Sequence, residues 1–256
     1  MVHLQIQTDK CIGCGLCASV CIRNAIIIKD WKAQENPDNL MGCFDCGHCM
    51  AICPNDVIRL VRYADQTDKP RPYKNKPTVT YDNLITFLSE RRSMRWMTNE
   101  PVSKGDFSKL FAAAHYSPTS MNQQDVRFVV LDKELDAFLD HITGILRPLA
   151  DQFPRIKQFI EYMEDKTTSK YNPFLWEGRQ VILAFSKVRA NAFIAMSRVE
   201  MAAATLGLLP WIFLSEVRSQ FGSLHFHEGH LLVLFFYSRE YILRPSLHAY
   251  PCHAAF

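Results

Sequence analysis

Cys43-Phe44-Asp45-Cys46-Gly47-His48-Cys49-Met50-Ala51-Ile52-Cys53-Pro54 places four thiols in one short run with the spacing C-x2-C-x2-C-x3-C-P. Three thiolates with two residues between neighbours let a single loop wrap three corners of a cubane iron–sulfur cluster, and tight turns aim backbone N–H groups at the sulfides. Gly47 lets the chain turn that sharply. The spacing recurs in Cys11-Ile12-Gly13-Cys14-Gly15-Leu16-Cys17-Ala18-Ser19-Val20-Cys21, with Ile22 where the first run has Pro54. Structural zinc usually pairs two C-x2-C knuckles across a gap of about a dozen residues or more, whereas each run here already holds four cysteines. A disulfide framework belongs to oxidising compartments. Nothing after Met1 reads as a basic, apolar, cleavable leader, so iron–sulfur ligation is the expectation for all eight thiols.

The doubled run resembles that of bacterial-type two-cluster ferredoxins, in which the fourth cysteine of each run ligates the other cluster. The resemblance implies two 4Fe-4S clusters with crossed ligation. Cys11, Cys14, Cys17 and Cys53 hold one, and Cys43, Cys46, Cys49 and Cys21 hold the other.

The chain has 256 residues, 48% hydrophobic and 21% charged, which suits one large domain plus a small one. A formal net charge of +3, with dispersed basic residues, excludes a nucleic-acid binder as the expectation. No membrane span is expected either: the apolar stretch from Met201 to Leu214 contains Gly207 and Pro210, is too short for a bilayer, and reads as a buried helix and turn.

In chain order, His3–Gln7, Ala25–Lys29 and Val57–Arg62 are short β-branched runs flanking the cysteine loops, as small bracing hairpins require. Residues 1–62 are thus expected to form the cluster domain. Residues 63–80 hold Pro70, Pro72 and Pro77 among basic residues and read as a semi-extended linker. Residues 81–256 change to mixed helix and strand, so the fold class is α+β. Asp82 is the expected cap of a helix through Leu84–Leu88, and Ser103 with Asp106 forms a near capping box for Phe107–His115. Val126–Leu131, Val181–Ser186 and Leu231–Tyr237 are strand candidates, the last two apolar enough to be central. Asn191–Leu206 reads as a long helix with small residues at Ala195, Ala202 and Ala203.

Two stretches exceed the needs of folding: Arg91-Arg92-Ser93-Met94-Arg95 and Ser117-Pro118-Thr119-Ser120-Met121-Asn122-Gln123-Gln124. Guanidinium forks match phosphate oxygens, and charge-assisted bonds of this kind are about twice as strong as neutral ones. Both stretches resemble motifs of the nitroreductase family of FMN proteins, R-x-S-x-R/K and S-P-S-x-x-N-x-Q. The likeness continues through Met201–Leu208 and the last strand to Arg244-Pro245. It implies an FMN-binding α/β sandwich preceded by the small ferredoxin-like domain, and a homodimer with FMN at the subunit interface. It also implies that Arg91, Arg92, Ser93, Arg95 and Arg244 hold the phosphate and ribityl end, and that Ser117, Pro118, Thr119, Asn122 and Gln124 border the ring, Asn122 orienting it. Three places depart from the family: Asp125-Val126, Leu209-Pro210-Trp211 and Phe236-Tyr237-Ser238. His225, His227 and His230 lack the H-E-x-x-H spacing of a metal site, and Cys252 has no nameable base beside it.

Joined, the two halves imply a cytoplasmic oxidoreductase that relays electrons from the clusters to FMN and then to a small organic acceptor such as a nitroaromatic or quinone. The donor is a ferredoxin-like protein or NAD(P)H, and no side chain is nominated as proton donor. The alternative is a non-catalytic electron carrier or redox sensor with a degenerate flavin domain, motivated by Asp125, Val126 and Trp211.

Overall fold

The computed structural model describes residues 4–64, 78–91, 100–176, 178–208, 211–214 and 233–236, the last two segments by their backbone. The chain divides into two compact units: residues 1–89 with 120–123, and residues 90–119 with 124–256. Most of the expected linker, residues 65–77, lies outside the described residues, as do Cys252 and the three histidines 225, 227 and 230.

In the first unit, β1 (Leu4–Ile6) pairs antiparallel with β4 (Ile58–Leu60), so the two ends of the cysteine-bearing segment are stitched together, Leu4 opposite Leu60. β2 (Ile26–Lys29) and β3 (Lys32–Glu35) form a hairpin. Its two-residue loop, Asp30-Trp31, has positive φ at both positions, the backbone that a tight twisted hairpin demands. β3 is absent from the apolar pattern because only Ala33 of Lys32-Ala33-Gln34-Glu35 faces the core. α1 (Leu16–Ser19) and α2 (His48–Ile52) each follow a left-handed glycine, Gly15 and Gly47, and carry Cys17 and Cys49 inward. Leu4, Ile26, Met50, Val57, Ile58 and Leu60 pack around the thiols. α3 (Tyr81–Glu90) is capped by Thr80 rather than Asp82: the Thr80 Oγ1 accepts the Asn83 N–H at 3.2 Å, and Asp82 sits inside the first turn, where a carboxylate suits the dipole. Tyr81, Leu84, Ile85 and Leu88 of this helix are exposed.

The second unit is built on a four-stranded antiparallel sheet ordered β5 (Arg127–Leu131), β6 (Val181–Phe185), β8 (Val233–Phe236) and β7 (Trp211–Leu214). β6 is buried along almost its whole length because both sheet faces are covered. Ile182 and Ala184 join the core under α4 (Lys104–His115) and α7 (Arg189–Thr205), while Val181 and Leu183 join that under α5 (Leu135–Leu146) and α6 (Pro154–Glu164). Strand side chains alternate between faces, so one apolar run serves two cores. α4 begins as expected, with Ser103 Oγ accepting the Asp106 N–H at 3.1 Å and donating to its carboxylate at 2.8 Å.

Met201–Leu214 is not one helix and turn. α7 stops at Gly207, whose φ of +69° reverses the chain; Gly207 N–H bonds Ala204 C=O and Leu208 N–H bonds Ala203 C=O. This paired closure terminates a helix, and the chain re-enters the sheet as β7.

Asp125, at one of the departures from the family pattern, ties β5 to the β6–α7 connection. Its carboxylate accepts from Ser186 Oγ, Lys187 N–H and Asn191 Nδ2 at 2.7–3.0 Å. Burial works to raise this carboxyl, but the bonds from Asn191, Lys187 and Ser186 outweigh it and hold it below the usual aspartate value. Asp125→Ala is expected to lower the unfolding free energy by about 2–4 kcal/mol, because it removes the acceptor that the buried Ser186 hydroxyl and Asn191 amide share. A carboxyl depressed in the folded state contributes stability above its unfolded pKa and loses it as pH falls through the folded one. The difference between wild type and Asp125→Ala in denaturant titrations should therefore be full at neutral pH and shrink in acid.

Candidate functional site

Eight cysteines surround two cavities in the first unit. Cys11, Cys14, Cys17 and Cys53 line one, together with Ile12 and Val57. Cys21, Cys43, Cys46 and Cys49 line the other, with Phe44 and Leu60. Each quartet takes three thiols from one run and the last from the other. Backbone N–H groups point at the sulfurs: Gly13 and Ala33 at Cys11 Sγ (3.4 Å each), Ala25 at Cys21 Sγ (3.2 Å) and Asp45 at Cys43 Sγ (3.3 Å). Such donors stabilise negative charge on sulfur. Among the described residues no group of three or more His, Cys, Asp or Glu side chains gathers around a single ion. Each thiol quartet lines a cavity of its own, an arrangement that suits a cluster bound at its corners.

The thiols differ electrostatically. Burial pushes Cys49 up to about 12, with Cys43 and Cys46 adding to the effect. Cys17 and Cys43 are also raised by burial. Cys11 goes the other way, lowered chiefly by the Ala33 N–H, which with the Gly13 N–H and the Lys32 charge overcomes burial. Lys32 also donates to the Cys11 carbonyl at 2.5 Å. Iron loading must take the proton from the buried thiols, and metal affinity is coupled to folding in such sites.

Gly13 is needed where it stands. With φ +69°, a Cβ added there would sit 2.2 Å from the Trp31 carbonyl oxygen of the β2–β3 loop. Gly13→Ala is expected to destabilise the unit by about 2–4 kcal/mol, from left-handed strain plus the clash. The measurement is iron content with thermal denaturation: iron should fall and the transition should come at lower temperature.

Of the residues expected at the flavin, Arg92, Ser93, Arg95 and Arg244 lie outside the described residues. Ser117 follows α4, its N–H bonded to Ala114 C=O; its side chain is 4% exposed and its Oγ has no partner among the described residues. Pro118 is exposed beside it, and Thr119 Oγ1 accepts the Gln124 N–H at 2.9 Å, closing the turn. A buried hydroxyl without a partner costs free energy unless a further polar group meets it, so this turn fits a ligand with acceptors of its own, such as FMN. Asn122 belongs to the first unit, where its Nδ2 donates to the carbonyls of Phe44 and Asp45 at 3.0 and 2.9 Å, and Arg62 donates to its carbonyl. Tyr63 Oη donates to the same Asp45 carbonyl at 2.9 Å.

Arg91, just past α3, forms a bidentate ion pair with Glu200 of α7. Nε lies 2.9 Å from Oε1, and Nη2 meets Oε2. Glu200 escaped the sequence reading. The available signal was an acidic residue on the face that also carries Met196, Val199 and Ala203, all buried.

Two stretches of the chain match models of known families. Residues 3–54 fit the model of the 4Fe-4S dicluster domain, and residues 88–209 that of the nitroreductase family. An uncharacterized ferredoxin of Methanocaldococcus jannaschii is 33% identical over 61 residues, covering 22% of this chain and 75% of that protein. Indolepyruvate oxidoreductase subunit IorA of Pyrococcus abyssi is 38% identical over 58 residues, which are 23% of this chain and only 9% of that subunit's length. Among solved structures, an oxidized iodotyrosine deiodinase bound to FMN and 3-iodo-L-tyrosine superposes with a TM-score of 0.50 at 19% identity, covering 68% of this chain and 96% of that one. The architecture is thus nitroreductase-like, behind a ferredoxin-type unit. The chain joins a 4Fe-4S dicluster domain to a domain of the nitroreductase family. No helix among the described residues is long and apolar enough to cross a membrane.

Proposed function

We propose that this protein is an iron–sulfur flavoprotein oxidoreductase that takes electrons from a ferredoxin-like donor or NAD(P)H and delivers them to an organic acceptor such as a nitroaromatic or quinone. The observation that carries the reading is two separate thiol quartets in the same chain as a nitroreductase-family domain. When bound, the clusters carry single electrons and FMN converts between single and paired transfer.

The chain's own residues bind and tune. Cys11, Cys14, Cys17 and Cys53 hold one cluster and Cys21, Cys43, Cys46 and Cys49 the other, with the N–H groups of Gly13, Ala33, Ala25 and Asp45 offsetting charge on the sulfurs. Arg91, Arg92, Ser93, Arg95 and Arg244 hold the flavin phosphate and ribityl end, and Ser117, Pro118, Thr119 and Gln124 border the ring. Asn122 braces the Phe44–Asp45 loop through its amide nitrogen while its neighbours Thr119 and Gln124 shape the turn. The working form is a cytoplasmic homodimer. Asp125, one of the departures behind the carrier alternative, has a structural task in tying β5 to α7, so its departure from the family pattern is no argument for a lost site.

The test is anaerobic. Iron, sulfide and FMN are counted in the purified protein, which is then mixed with reduced ferredoxin or, separately, NADPH, followed by a nitroaromatic. Flavin absorbance bleached by a donor and restored by the acceptor is the expected result and identifies the entry route. Iron without flavin, or flavin that no acceptor reoxidises, would favour an electron carrier or sensor instead.

A further inference from the structure

We propose that Glu200 is the positioning residue for Arg91, holding its guanidinium in the orientation that meets the flavin phosphate; this rests on the assignment of Arg91 to that phosphate. Glu200 is 7% exposed, in the middle of α7, with Val199 and Ala203 wholly buried beside it. A mid-helix carboxylate receives no help from the helix dipole, which acts only at the ends. Burying a charge there is costly, and a buried ion pair is a poor device for stability compared with packed apolar side chains of the same volume. What such a pair does provide is a fixed geometry.

Here the geometry is specific. Glu200 engages Nε and Nη2 of Arg91, one complete edge of the planar group. Two parallel bonds fix both the position and the plane of a guanidinium. The plane of the Arg91 guanidinium is thereby fixed relative to α7. A long side chain that must be immobilised on binding weakens that binding, and one already held does not. The opposing effect is electrostatic, since the carboxylate offsets part of the charge that attracts phosphate. Orientation outweighs it here, because the Arg91 charge alone, swinging on a flexible stem, would select no direction for the phosphate.

The test separates phosphate from ring by comparing FMN with riboflavin. Full-length protein is stripped of flavin and titrated with each, following the quenching of flavin fluorescence. Glu200→Ala is expected to weaken FMN about tenfold, the cost of re-immobilising one long side chain, with riboflavin unchanged. Glu200→Gln keeps the volume and one acceptor oxygen, so it guards against loss of fold and should show a smaller loss in the same direction. FMN affinity equal to or above wild type in Glu200→Gln overturns the proposal, since charge offset would then have dominated. An equal loss for both flavins overturns it too, showing a structural role only. Arg91→Ala reports on the underlying assignment: if it leaves the preference for FMN over riboflavin intact, the phosphate assignment fails and the Glu200 proposal with it. If Arg91→Ala erases that preference while the Glu200 variants keep it, only the Glu200 proposal fails.

Discussion

Cys53→Ala is expected to abolish the cluster of Cys11, Cys14 and Cys17 and to spare that of Cys43, Cys46 and Cys49, although Cys53 lies only one turn past Cys49. α2 runs between the two cavities, with Cys49 lining one and Cys53, at its C-terminal end, lining the other. Bound iron should fall to roughly half that of the wild type. The diagnostic comparison is the EPR spectrum of the reduced protein. Crossed ligation requires Cys53→Ala to leave the same residual signal as Cys14→Ala, and Cys21→Ala the same as Cys46→Ala. If Cys53→Ala instead resembles Cys46→Ala, each run closes on its own cluster and the crossed assignment is wrong. The unit should also lose stability, because its core is small and the thiols are part of it: Cys11, Cys17 and Cys49 pack with Ile26, Met50 and Ile58. In small metal-binding units the free energy of metal binding is largely folding free energy.

The cysteine runs were legible because ligation chemistry imposes a spacing that packing alone does not. β6 was legible for a related reason: a strand covered on both faces must be apolar at every position, and Val181 to Phe185 is. β3 was not, since one inward alanine leaves no period to detect. α5 and α6 were missed because their amphipathic patterns carry no chemical motif to draw the eye, although Leu135, Leu139 and Ile142 recur at helical spacing. β7 was not legible as a strand because Met201–Leu214 reads as a helix and turn, and four apolar residues after Pro210 show no alternation. Gly207 in the left-handed region ends α7 whatever follows. The pairing of Arg91 with Glu200 was not legible, because a long-range ion pair joins positions with no local relation in sequence. Asn122 shows the converse. A motif can suggest what a residue contacts, but the Asn122 amide nitrogen donates to the Phe44 and Asp45 carbonyls, in the loop that carries Cys43 and Cys46.

Arg91→Ala combined with Ser93→Ala should release FMN while both clusters remain. Charge-assisted hydrogen bonds contribute about 1.5–3 kcal/mol each, so losing two of them weakens binding by about 3–6 kcal/mol, or roughly 10²–10⁴-fold. A second cost accompanies the first and must be measured apart from it. Removing Arg91 leaves the Glu200 carboxylate buried without its partner, and breaking one side of a buried pair typically costs about 3–5 kcal/mol of stability. Arg91 is itself about a quarter exposed, so solvent screens part of that cost and the measured loss should fall toward the lower figure. Thermal denaturation in the absence of flavin isolates this structural part, which Ser93→Ala alone should not share. The iron–sulfur absorbance and iron content of the protein should be unaltered in the double variant, because the eight cysteines of the two runs lie in the other unit. FMN retained stoichiometrically after gel filtration would remove these residues from the phosphate site, whereas loss of flavin together with iron would mean that the substitutions had unfolded more than the pocket.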